Sequence, residues 1–235
     1  DVRLEETGAP GEVDLFVDTR DRFSLIASAG GSVVGEVSGY HVLVGENNLF
    51  GTGNSISLAF SENDEGESEF GLDYRDWQLF DTWQRLDVGL GETEEGPFVH
   101  AAVTRPFKHL QDPWSYGVAA GSEENDVDYF AGGESVAEVP RESAAFSAFA
   151  ERAHGPAELR RSLGLELAFD DSSYGAAGGP AAGQIAVPGD LTRTSLGPFG
   201  RVEWVRAYRE LEHLDALDYV QDVALGAEAE LFAGA

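Results

Sequence analysis

Oily and polar positions alternate one by one over much of this chain. Across residues 55–61, Ile56, Leu58 and Phe60 share one side, and Ser55, Ser57, Ala59 and Ser61 the other. Successive side chains of a strand point to opposite faces, so the pattern predicts a strand with one apolar face. Residues 69–75 repeat it, with Phe70, Leu72 and Tyr74 against Gly71 and Asp73, as do residues 85–91, with Leu86, Val88 and Leu90 against Asp87 and Gly89. Further matches lie at residues 115–120, 159–169 and 222–231, and weaker ones at 22–30, 39–45, 98–105, 144–152 and 196–206. The total is about eleven strands after residue 21, roughly one per 20 residues, as expected of strands of about ten residues joined by turns. Helical spacing shows only over residues 207–217.

Alternation alone fits two architectures. In a soluble sandwich the oily face is a core; in a membrane barrel it meets lipid, and the second face lines a polar lumen. The connections separate the two. If residues 22–30 form the first strand and run outward, alternate connections fall at residues 30–34, 62–68, 92–96, 122–142 and 170–190, and these are acidic or long and polar. The intervening ones hold Asn48, Leu49 and Phe50, then Trp77, Phe80 and Trp83, then Phe107, Trp114 and His154, with Arg75, Arg105, Lys108 and Arg152 nearby. A sheet standing in a membrane has two ends that meet different waters, and closing it satisfies every backbone group in lipid. The pattern therefore predicts an all-β, antiparallel transmembrane barrel over residues 21–235. Phe50, Trp77, Phe80, Trp83, Phe107 and Trp114 are expected to form an aromatic inner rim.

Composition narrows the partners. With Asp+Glu 43 against Lys+Arg 15 the net charge is −28, which repels nucleic-acid phosphates and offers them no basic stripe. The 14 Phe, 7 Tyr and 4 Trp supply more anchoring surface than a disordered chain keeps. Zero cysteines exclude disulfide frameworks and thiol catalysis. No run reaches the roughly 18 apolar residues of a membrane-spanning helix. The chain starts at Asp1 with no methionine and no signal peptide, which reads as a processed product or an excerpt of a longer protein.

The run from Tyr40 to Asn54, and within it Asn48, Gly51, Thr52, Gly53 and Asn54, resembles the second strand, first inner turn and third-strand start of the BamA/TamA-type outer-membrane assembly barrels. Gly51 and Gly53 permit the positive φ of a tight turn, and Asn54 is suited to bond its own backbone. Residues 12–18 resemble the last strand of the POTRA domain that precedes such barrels, which assigns residues 1–20 to a POTRA-like periplasmic end. Residues 76–80 resemble the family's aromatic second turn, and residues 197–226 a later hairpin. The resemblance implies a barrel of about sixteen strands, of which this chain holds about eleven. The family's Val-Arg-Gly loop motif is absent; Val205, Arg206, Ala207 and Tyr208 imitate it poorly, in what counts as an inner turn.

The resemblance further implies a bacterial outer-membrane location and insertion or translocation of polypeptides without a chemical step. The first strand, with Phe23, Ser24, Leu25, Ser28 and Gly30, would be a gate that pairs poorly with the last strand and templates an incoming one. Expected partners are outer-membrane lipid, lipopolysaccharide, client polypeptides and periplasmic or lipoprotein accessory subunits. No cofactor, metal or catalytic residue is expected. His41, His100, His109, His154 and His213 lack ligand spacing, the pair His213 and Asp215 falls in a predicted turn, and the acidic loops contain no EF-hand frame. Weak bridging of lipopolysaccharide by divalent ions at those loops is a further expectation. A passive porin and a secreted acidic sandwich binding ions or glycans are the alternative readings.

Overall fold

The computed structural model describes residues 2–6, 13–17, 24–34, 37–64, 68–107, 112–156, 158–211 and 221–233. Strands β1 (Val2–Glu6) and β2 (Val13–Val17) pair antiparallel as a two-stranded sheet. The strand expected at residues 12–18 is thus β2. The other strands among the described residues form one antiparallel meander of eleven. These are β3 (Leu25–Val34), β4 (Val37–Leu49), β5 (Asn54–Asn63), β6 (Ser68–Asp76), β7 (Arg85–Thr93), β8 (Gly96–Arg105), β9 (Trp114–Ala131), β10 (Glu134–His154), β11 (Leu159–Tyr174), β12 (Leu191–Leu211) and β13 (Gln221–Phe232). Each pairs with its neighbours in sequence, so β3 and β13 are the two edges and the sheet is not closed.

Each of the eleven expected strands corresponds to one of these, and where the bounds differ the cause is physical. Residues 122–142 were expected to be a long acidic connection. Instead β9 and β10 run on, Glu124 opposite Glu142 and Val127 opposite Val139, and reverse at Gly132 and Gly133, whose φ values are 67° and 93°. Backbone pairing is indifferent to side-chain polarity, whereas hydrophobic alternation detects only strands with an oily face. For the same reason β11 runs to Tyr174, and residues 30–34 belong to β3 rather than to a loop. The helical spacing at residues 207–217 is overridden through Leu211, because β12 there pairs with β13. Residues 212–217 lie outside the described residues. Val205 and Ala207 flank a bulge inside β12, so the segment resembling the loop motif sits in a strand and not in a turn.

No second layer packs on the sheet among the described residues: apart from the short turn Ala182–Gln184 lying on β10, the substantial packing is between strands adjacent in it. The accessible surface is 16700 Å², against the roughly 10,000 Å² of a compact protein of this length.

Candidate functional site

Residues paired across adjacent strands share a face, so the register sorts the sheet into two faces. One carries the rows Val44, Leu58, Leu72, Leu90 and Val99, and Val103, Val118, Ala148, Leu167 and Leu196. The other carries Ser57, Asp73, Gly89, His100 and Gly121, and Ser115, Glu151, Gly164 and Phe199. Burial is inverted relative to a water-soluble protein. The shielded residues, among them Ser115, Ala137, Val139, Glu151, Arg160, Ser162, Phe199 and Val205, all lie on the second, polar face. On the oily face Leu58 is 54% exposed, Leu165 52% and Leu196 54%.

The oily band is also inclined to the strands. The row through Leu58 runs to Leu72, Leu90, Val99, Ser122, Ala144 and Asp171. It starts mid-band in β5 but has left the band at β11, whose Leu163, Leu165, Leu167 and Phe169 are centred some five residues away. At about 3.3 Å per residue and 4.8 Å per strand this drift is a tilt of roughly 30°, close to the ~35–45° at which strands cross a barrel wall.

Glycines and aromatic rings interlock on the polar face. Gly30 lies opposite His41, Gly89 opposite His100, Gly91 opposite Phe98, Gly117 opposite Phe149 and Gly164 opposite Phe199, each ring filling the place of the missing side chain. Charges pair beside them. Asp87 joins Arg75 and, at 2.6 Å, Arg85; Arg201 reaches Glu228 at 3.0 Å and Glu230 at 2.7 Å; the Ser162 hydroxyl donates to Glu151, which is 3% exposed. Among the described residues no three His, Asp or Glu are grouped to hold a metal ion. His41 and His100 cover glycines, His154 stands at a rim, and His109, His213 and Asp215 lie outside the described residues.

A meander puts alternate connections at opposite ends, and the aromatic candidates all fall at one of them. Phe50 sits in the β4–β5 turn, Trp77, Phe80 and Trp83 in the β6–β7 connection, Phe107 in the β8–β9 connection, and Trp114 at the start of β9. Arginines stack on three of these rings: Arg75 and Arg85 lie 5.0 and 5.6 Å from Trp77, Arg152 is 5.4 Å from Trp114, and Arg160 is 3.5 Å from Phe107. The opposite end carries Asp64, Glu94, Glu95, Asp190 and the acidic extension of β9 and β10. There the Ser38 backbone N–H and hydroxyl, the latter at 2.9 Å, hold the Asp64 carboxyl below its ordinary pKa.

In the β4–β5 turn Gly51 and Gly53 have φ of 78° and 77°, as their identity requires. Asn48 closes the turn, its Oδ1 accepting from Gly53 N–H at 2.8 Å. Asn54 does not bond its own backbone; its Nδ2 donates to the Tyr74 hydroxyl at 3.1 Å, because strand pairing already engages its main chain. The β6–β7 turn repeats this construction, a signal present in the sequence that the strand reading missed. Residues 48–54 read Asn-Leu-Phe-Gly-Thr-Gly-Asn and residues 78–84 Gln-Leu-Phe-Asp-Thr-Trp-Gln. Thr52 and Thr82 each donate to the leucine carbonyl three residues back, at 2.7 and 2.6 Å, and accept from the backbone two residues on. Phe50 and Phe80, 93% and 85% exposed, hold left-handed φ of 53° and 55°, a conformation a bulky residue adopts only under constraint.

The gate candidates Leu25, Ser28 and Gly30 lie on edge strand β3, bonded through β4 alone among the described residues, and Ser24 precedes it, its carbonyl accepting from Asn47 N–H at 2.9 Å. Phe23 lies outside the described residues. The molecule is an all-β protein built on one open antiparallel sheet. Compared with known proteins, the chain matches no family model, no curated protein and no solved structure.

Proposed function

We propose that the eleven-stranded sheet is wall material of a bacterial outer-membrane β-barrel of the BamA/TamA type, inserting or translocating polypeptides through a lateral seam at β3. The observation that carries the membrane reading is the inverted burial, with the shielded residues all on the polar face and the large aliphatic side chains of the other face exposed. A large aliphatic left about half exposed to water forfeits about 1 kcal/mol, half or so of its full burial value. Over the band this reaches about 10–20 kcal/mol, as large as the ~5–15 kcal/mol stability of an ordinary fold. Hydrocarbon is the solvent that removes the loss. A soluble sandwich would need an opposing layer, and none packs on this sheet among the described residues. The inclined band, the arginine-backed aromatic rim and the acidic opposite end suit a wall standing between two different aqueous faces.

The seam reading rests on β3. An edge strand with free backbone groups recruits an incoming strand through main-chain hydrogen bonds and needs no reactive side chain. Residues 1–20 would then close a POTRA-like periplasmic module, with lipid and lipopolysaccharide around the wall and accessory subunits below it. The test is site-specific photocrosslinking in vesicles, using the full chain and an unfolded outer-membrane client. A photoreactive residue at Ser28 should capture the client, and one at Ser57, interior to the sheet, should not. Equal capture at both sites, or none, removes the seam. The Arg75–Asp87–Arg85 cluster favours a passive pore as the second reading; steady ion conductance without client capture would select it.

A further inference from the structure

We infer that residues 175–181 are a guard strap, a stand-in strand that keeps β10 from pairing with a second copy of this chain. The guard depends on neither the lipid-facing band nor the seam. It belongs to the hairpin in which β9 and β10 run on past their neighbours. β8 last pairs with β9 at Phe98 and Glu123, and β11 last pairs with β10 at Tyr174 and Arg141. A strand edge with unmet backbone groups templates another strand, so the projecting hairpin has two edges to protect.

The two edges differ in sequence. On β9, residues 125–131 carry Asp126 and Asp128 and pair with β10 alone among the described residues. Charge along an edge repels a like copy. On β10, residues 136–140 hold a single acid, Glu138, among Val136, Ala137, Val139 and Pro140. Charge protects this edge poorly, and here the chain supplies main-chain partners instead. Gly175 N–H donates to the Pro140 carbonyl at 2.7 Å, Gly178 N–H to that of Glu138 at 2.8 Å and Ala181 N–H to that of Val136 at 2.9 Å. Glu138 N–H donates in return to the Gly178 carbonyl at 3.3 Å. Alternate residues of a strand turn their backbone groups to one edge, so Val136, Glu138 and Pro140 are the residues an added strand would bond. All three carbonyls are taken.

The fit is close. At Gly179, with φ of 88°, the place of a Cβ lies 3.0 Å from the Val136 oxygen and 3.1 Å from Ala137 Cα, which leaves room for glycine alone. The turn Ala182–Gln184 that follows lies on β10, where Ala137 and Val139 are 1% and 0% exposed. Residues 175–189 contain no charged side chain. Asp190 closes the base of the connection, accepting from Tyr174 N–H at 3.3 Å. With the strap displaced, the bared stretch of one copy can lie antiparallel to the same stretch of another about a two-fold axis.

The test refolds the full chain in mild detergent, measures its mass by size exclusion with light scattering, and follows amide hydrogen exchange. The wild-type chain should be monomeric. Gly179→Val, which sets a side chain against Val136, should speed exchange of the Glu138 amide about tenfold, the loss of one or two hydrogen bonds, and should convert the chain to dimers or larger species. Gly183→Ala, in the same connection with nothing within 4 Å of the new methyl, should change neither readout. Adding Val136→Asp to Gly179→Val places like charges on the two bared edges and should restore the monomer. Ala181→Pro deletes the N–H that Val136 accepts and repeats the test if Gly179→Val does not refold. Faster exchange without association, association that Val136→Asp leaves intact, or unchanged exchange and mass in the strap variants would each overturn the guard.

Discussion

A methyl group added at either of two glycines on the same face of the sheet should change stability in opposite directions. Gly117 lies beneath the Phe149 ring, and a Cβ there would stand 2.7 Å from Phe149 Cε1 and 2.8 Å from Thr104 Cγ2. Neither approach is tolerable, so the ring must leave its place. Gly71 lies on the same face with nothing within 4 Å of the corresponding position. Neither glycine has the positive φ that would penalise alanine by itself. Overpacking of this kind costs about 1–3 kcal/mol, and removing glycine's backbone freedom returns about 0.5–1 kcal/mol. Gly117→Ala should therefore destabilise by about 1–2 kcal/mol, and Gly71→Ala should be neutral or stabilise by up to about 1 kcal/mol. Equilibrium urea unfolding from lipid vesicles, followed by tryptophan fluorescence, measures both. A double-mutant cycle with Phe149→Leu isolates the contact, and the coupling should reach about 1 kcal/mol. Equal shifts at the two glycines, or a coupling near zero, would refute ring-on-glycine packing as a source of stability on this face.

Two further outcomes follow from the rims. Thr82→Val removes the hydroxyl that ties Leu79 to Gln84 and should destabilise by about 1 kcal/mol in the same unfolding assay. Phe50→Asn, which relieves left-handed strain, should stabilise by about 1 kcal/mol in detergent; a loss there would mean that the Phe50 ring makes a contact essential to the fold. Asp64 supplies pH dependence of known sign. Its folded pKa lies below the unfolded one, so its stabilising contribution is present above the unfolded pKa and is lost as pH falls through the folded value. Below about pH 4 the unfolding midpoint of the wild-type chain should fall more steeply than that of Asp64→Asn, and parallel acid limbs would contradict the assigned Ser38 bonds.

The sequence alone determined where the strands with an oily face lie, since a period of two needs nothing but alternating side chains. Ser57, Leu58, Ala59 and Phe60 announce their strand unaided. It also placed Gly51 and Gly53, because left-handed backbone is a property of the residue itself, and it grouped the aromatic connections at one end, because a meander alternates its turns. Tertiary pairing decided the rest. Glu123, Glu124, Asp126 and Asp128 carry no hydrophobic alternation and became strand because β10 offers them partners. Asn54 turned to Tyr74 through a register invisible along the chain. The alternating pattern could not say which face would be shielded, since it reads the same in a sandwich and in a wall. Only the arrangement in space, with rings folded onto glycines on the polar side and no layer opposite Leu58 or Leu165 among the described residues, left the oily face exposed.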